Sequence, residues 1–288
     1  MLHRIIRGIA PVAAFAAAFA LGACDGEISI NGEKGVPLSD LDLAGKTPTS
    51  IVAAGPDNIV VTEGAALKID VSGDPDAVAA VRFTLDAETL GVMRANDSRK
   101  VDGKARIAVT LPALETVTLA GSGTFEAAKL SGKAEVTVAG SGTATTATVD
   151  APSLEVTIAG SGTYRAGGKT DKLDLTVAGS GEADMAGLSA GNADVTIAGS
   201  GKAAFASDGK VDASIMGSGE VTVTGNAQCT VSAMGSGKLN CQGGSTTTKA
   251  GSNGKAPTPP QPPAPPAAPE TPAPPAAPAA PDAPEPSE

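Results

Sequence analysis

Very few residues in this chain are of types that do chemistry. The single histidine is His3. It falls in a leader expected to be removed, which takes Ser-His and Cys-His nucleophile pairs and histidine metal sites out of consideration. Three cysteines remain, Cys24, Cys229 and Cys241, an odd number. An exported protein rarely leaves an odd thiol free, so one of the three is expected to be modified and the other two paired. Gly-Ser-Gly begins at Gly121, Gly140, Gly160, Gly179, Gly199, Gly217 and Gly235. One copy could pass for a nucleophile elbow or a phosphate loop. Copies recurring with no following helix and no Lys-Ser/Thr read instead as structural corners. Catalytic, cofactor-binding and metal residues are therefore expected to be none, and the chain is not expected to be an enzyme.

Carboxylates do recur. Five positions before the glycine stand Glu135, Glu155, Asp174, Asp194 and Asp212; seven before stand Lys133, Ser153, Lys172, Asn192 and Lys210. Calcium takes six to eight oxygens. A flat column offers few that converge, and the calcium-solenoid signature G-G-x-G-x-D does not occur. A solvated charged face, partly neutralised by its lysines, is the expectation. A Thr column three before the glycine (Thr118, Thr137, Thr157, Thr176, Thr196, then Ser214 and Ser232) could meet ice or sugar, but Thr also simply suits strands.

The amino terminus reads as an address. Arg4 and Arg7 precede an Ala-rich apolar run over residues 9–20 that is too short for a confident membrane span. Leu21-Gly22-Ala23-Cys24 resembles a lipobox, which implies a signal peptide over 1–23 and a diacylglycerol on Cys24. Ordinary cleavage after Ala18-Phe19-Ala20 is the alternative. With Cys24 lipidated, Cys229 and Cys241 are left as a disulfide pair; two buried free thiols are the other reading. Residues 24–48, with Pro37 and Pro48, read as a lipid-anchored linker. From 244 the apolar pattern stops, and residues 256–288 hold 15 prolines. Such a stretch buries too little apolar surface to offset its ordering entropy, so 244–288 is expected to be a disordered Pro/Ala-rich tail.

Residues 49–243 carry the fold. The Gly-Ser-Gly spacings are 19, 20, 19, 20, 18 and 18 residues. Each triplet follows an alternating strand such as Val156-Thr157-Ile158. Positions two, four and six before the glycine are mostly apolar, and four and six after it point inward again (Phe125 and Ala127, Tyr164 and Ala166, Ala203 and Phe205). Period-two alternation puts these on one face and the polar positions on the other. Aromatics are only 2% of the chain, with no Trp, so the core must be thin. A repeat this length makes one coil of a parallel β-helix, with coils stacked at ~4.8 Å. The expected class is all-β: a parallel β-solenoid with 18–20-residue coils, the glycines at a stacked corner.

The V-T-[VI]-A-G-S-G units, Leu111-Pro112-Ala113-Leu114, and the opening Ile51-Val52-Ala53-Ala54-Gly55-Pro56 resemble the putative auto-transporter adhesin head GIN domain family. The resemblance covers about two thirds of the chain and brings no catalytic residues with it. It implies a non-catalytic, adhesin-like interaction protein of the cell envelope, with an envelope glycan or protein as the expected partner; the lipobox, an addition to the plain domain, implies that the membrane is reached through the lipid. Export to the outer membrane or periplasmic face is expected; Asp25 leaves the inner membrane open. The rival reading is a polysaccharide-binding or polysaccharide-processing β-helix, using carboxylates near Asp86 and Glu88 or a groove with Arg82 and Arg94. Nucleic acid is not an expected partner, since the net charge is -10 and no basic face carries aromatics.

Overall fold

The computed structural model describes residues 30, 32–95 and 101–248. The leader, Cys24 and residues 249–288 of the expected tail lie outside the described residues.

The chain forms a parallel β-solenoid of about seven turns. Its opening coil is β1 (Ser50–Gly55) and β2 (Asn58–Glu63). The chain then leaves the stack through β3 (Lys68–Gly73), the short helix α1 (Pro75–Ala80) and β4 (Val81–Leu85), and returns as β5 (Thr89–Arg94) and β6 (Ala105–Leu111). Pro75 and the Asp74 side chain start α1: the carboxylate accepts from the backbone N–H groups of Asp76 and Ala77. The coil made by β5 and β6 comes later in sequence but lies on the outer side of the first. β1 pairs in parallel with both β5 and β7 (Thr116–Gly121), and β2 with both β6 and β8 (Thr124–Gly140). β3 and β4 then close this end by pairing antiparallel with β6 and β5.

From β8 onward each coil repeats its predecessor. The chain runs through β9 (Thr143–Gly160), β10 (Thr163–Gly179) and β11 (Glu182–Gly199), each a long strand that bends part-way, in β10 at Gly168 with φ 109°. The shorter later coils split in two: β12 (Lys202–Ser207) with β13 (Lys210–Gly217), β14 (Glu220–Thr224) with β15 (Gln228–Gly235), β16 (Lys238–Cys241) with β17 (Ser245–Thr248). β17 pairs with β15 in parallel, so paired backbone extends five residues past the expected boundary at Gly243. Its Ser-Thr-Thr-Thr sequence has no apolar alternation to reveal it.

Register is conserved along the strands that lead into each corner, and the one- or two-residue differences in coil length are taken up as bulges elsewhere in the coil. Gly55, Gly121, Gly140, Gly160, Gly179, Gly199, Gly217 and Gly235 stack in one column. From Gly121 onward φ at this column lies between 112° and 126°. A Cβ at Gly160 would also sit 2.6 Å from the Gly140 carbonyl oxygen. Only glycine meets both conditions. The serine that follows completes the corner through its backbone: Ser161 N–H donates to Gly140 O at 2.9 Å, and its equivalents do the same.

The inward columns are buried as the alternation requires. Size alternates along them. Phe125, Ala144, Tyr164 and Ala183 succeed one another at one level, beside Ala127, Thr146, Ala166 and Met185 at the next. Large and small side chains are thus interleaved, as a narrow core requires, and further along Met185 stacks on Phe205. Tyr164 is fully buried, and its hydroxyl donates to Thr146 Oγ1 at 3.2 Å.

The expected linker is not free along its length. Val36 exchanges two 2.8 Å backbone hydrogen bonds with Phe83 of β4, and Leu38, Leu41 and Leu43 pack against the core. These apolar residues are too sparse to show a period, yet each meets the solenoid.

Candidate functional site

The most ordered feature of the surface is the outer face of the strands that precede each corner. Three polar columns run along it. Thr118, Thr137, Thr157, Thr176, Thr196, Ser214 and Ser232 are successive register partners, and so are Glu135, Glu155, Asp174, Asp194 and Asp212. The third column is Lys133, Ser153, Lys172 and Asn192, continued by Lys210. Neighbouring columns lie two residues apart on one strand, roughly 6.6 Å, and rungs are roughly 4.8 Å apart.

The lysines bind the acidic column together. Lys172 Nζ lies 2.8 Å from Asp174 and 3.5 Å from Asp194 on the next rung, and Lys210 Nζ lies 2.5 Å from Asp212. The hydrogen bonds to their aspartates raise the pKa values of both lysines. Glu135 is the acid that this scheme serves least. Partial burial, then the charge of Glu155, push its pKa up, and Lys133 only partly counters them. Among the described residues no group of three or more His, Cys, Asp or Glu is disposed to hold a metal ion.

Over residues 47–227 the chain matches the family described as putative auto-transporter adhesin, head GIN domain. The chain belongs to that family. Three solved structures share the GIN-domain fold seen here. A putative adhesin from Bacteroides fragilis is 19% identical with a TM-score of 0.61, covering 68% of this chain and 93% of its own. A putative lipid binding protein from Parabacteroides distasonis is 22% identical with a TM-score of 0.54, again covering 68% and 93%. A putative adhesin from Parabacteroides merdae is 20% identical with a TM-score of 0.53, covering 69% and 97%. At such identities the likeness is one of fold. No curated protein matches.

Three of the four residues singled out for a polysaccharide cleft, Asp86, Arg82 and Arg94, are occupied by structural work in this GIN domain, and the fourth, Glu88, is exposed. Asp86 caps a turn, accepting from the N–H groups of Glu88 and Thr89 at 2.8 and 2.7 Å. Arg82 donates to the carbonyls of Ala79 and Val81. Arg94 is buried against Asp57, with Nε at 2.8 Å from Oδ2 and Nη2 at 2.6 Å from Oδ1; it also donates to Val101 O and Gly103 O. Asp57 Oδ1 accepts from Ala105 N–H as well. Sequence reasoning missed this clamp because Asp57 follows Gly55-Pro56 where later coils have Gly-Ser-Gly, and nothing local connects it to a residue 37 positions on. A depression of about 250 Å³ between Asp150, Pro152, Lys169 and Asp171 is open to solvent.

The structure joins Cys229 and Cys241 in a disulfide with a Cα–Cα distance of 6.5 Å. Cys229 stacks on Val211 and Cys241 on Val223, so both enter the core from opposite strands of the last full coil. Two outward residues break the pattern nearby. Met216 and Met234, 46% and 56% exposed, stand in the column that alanines fill from Ala120 to Ala198.

Proposed function

We propose that this GIN-domain protein is a non-catalytic, exported envelope protein with an adhesin-like role, recognising its partner through the ridged face of Thr, acidic and Lys columns. The supporting observation is the unbroken register of the acidic column from β8 to β13, and of the Thr/Ser column on to β15, which sets like groups at a constant repeat over several coils. A flat periodic surface suits an extended partner, an envelope glycan or protein, better than a small molecule. In this reading a diacylglycerol on Cys24 holds the domain at the membrane, at the outer membrane or the periplasmic face. Among the described residues no helix is long and apolar enough to cross a membrane. Membership of a family described as adhesin supports the same assignment.

The test is binding of the purified chain to whole cells and to an array of envelope glycans. The paired change Asp174→Lys with Asp194→Lys reverses the charge of the ridged face; Asp184→Lys alters the opposite face. Binding lost in the first and kept in the second supports the proposal. Equal binding by both would remove the ridged face from consideration. Fatty-acid probe labelling in the wild type, absent from Cys24→Ala, tests the anchor.

A further inference from the structure

The two ends of the stack present different edges. At the amino-terminal end the outermost strands, β3 and β4, run antiparallel to the strands they cover, and Val36 bridges the free side of β4. At the carboxy-terminal end, among the described residues, β16 pairs only with β14 and β17 only with β15. Inward columns that are buried in earlier coils come into solvent there. Ala233 and Thr246 are exposed, and Leu239 and Cys241 are half-buried. Neither edge strand contains a proline, and β17 carries no charge. Proteins normally protect a sheet edge with such residues, because its unpaired N–H and C=O groups will pair with another strand.

We infer that this end is the contact surface for a second copy of the chain, forming a closed two-fold dimer. Successive coils pair in parallel and so wind in one direction. A two-fold axis perpendicular to the stack reverses that direction in the second copy and so brings facing edge strands together antiparallel. Antiparallel closure is the device the chain already uses at its other end, where β3 and β4 supply it. Head-to-tail stacking would need a free parallel edge at the amino-terminal end, and β3 and β4 occupy that position. The contact thus closes after two copies instead of growing into a fibre.

The sequence that follows is poor in strand-pairing donors. From residue 257 to 286 no more than two residues separate successive prolines, and each proline removes a ladder donor. Residues 249–256 include Gly251, Gly254 and two lysines, with no apolar side chain larger than alanine. The Cys229–Cys241 disulfide ties β15 to β16 and presents the edge already ordered, which lowers the entropic cost of pairing.

The test is sedimentation equilibrium of the full chain in detergent, with amide hydrogen exchange on the same samples. Thr247→Lys with Asn240→Lys adds one exposed cation to the outward side of each edge strand. Whichever edge strands meet across the axis, like charges then face each other. The wild type is expected at twice the chain mass, with protected amides in β16 and β17. The variant is expected at the monomer mass, losing that protection while β14 and β15 keep theirs, which shows that the fold is intact. A wild type that stays monomeric up to submillimolar concentration would overturn the inference. So would a dimer unaffected by the two lysines, since its contact would lie elsewhere.

Discussion

The middle of the stack and its amino-terminal end are held by different means. In the coils from β8 to β15 stability is distributed: every rung repeats the glycine corner and the ladder of the strand before it, and contacts fall almost wholly between adjacent coils. Tyr164 with its partner Thr146 is a single-copy polar contact within the core of this stretch. The amino-terminal end has no further rung to lean on. It depends on single-copy devices: antiparallel β3 and β4, the capped helix α1, and above all the Asp57–Arg94 clamp, which ties the first corner to residues 101–105. A repeat can spread its energy over many equal contacts. Where the repeat stops, polar groups left over at the boundary must be matched one by one.

The largest expected break in that comparison is Arg94→Met. Arg94 and Asp57 are each no more than 9% exposed, so the change leaves an uncompensated carboxylate in the protein. Loss of one partner of a buried pair costs about 3–5 kcal/mol. Urea unfolding should show a loss of this size, and hydrogen exchange should open the amino-terminal coils first. A loss under about 1 kcal/mol would mean that water already reaches the pair.

At the other end the single-copy device is covalent. Cys229→Ser with Cys241→Ser removes a bond across 12 residues, and chain entropy puts its contribution at roughly 3 kcal/mol. Exchange protection should fall in β14 to β17 and stay unchanged in β8 to β10. A uniform loss along the stack would contradict the nearest-neighbour view of the coils.

Within the stack the sharpest test is alkaline. Tyr164 is the only tyrosine, and burial pushes its pKa up to about 12, while the Thr146 hydrogen bond pulls the other way. The folded state holds the phenol proton more tightly than the unfolded state. Stability from this source is therefore complete below pH about 10 and is lost as pH rises toward about 12, a change of roughly 2–3 kcal/mol. Phenolate absorbance should appear near the upper value, together with unfolding. Tyr164→Phe should remove that alkaline step. Ionisation near pH 10 with the fold intact would show that the core is open to solvent at this rung.

The smallest effect concerns the acidic ladder. With its folded pKa raised, Glu135 costs stability once it ionises, so the wild type weakens as pH rises from the usual carboxylate range through that raised value. Glu135→Gln should be more stable than the wild type at neutral pH by less than about 1 kcal/mol, since the group is partly solvated. The difference should vanish in acid. A Gln variant that is less stable at neutral pH would mean that Lys133 outweighs Glu155.

By itself the sequence determined the coil, its period, which side chains face inward, the glycine column and the pairing of Cys229 with Cys241. It could do so because each coil packs on a near copy of itself. Burial of Val156 between Val136 and Leu175 is then written as a repeat at fixed spacing, and local alternation is enough to assign faces. The outward columns were legible for the same reason. Tertiary structure alone decided the ends: β5 and β6 stacking outside the earlier β1 and β2, β3 and β4 turning antiparallel, Asp57 meeting Arg94, residues 32–48 lying on the core, and β17 continuing the stack with nothing but Ser and Thr. Each of these joins segments far apart in the chain through contacts that occur once. A contact made once leaves no period behind, so only the folded arrangement of the backbone could place it.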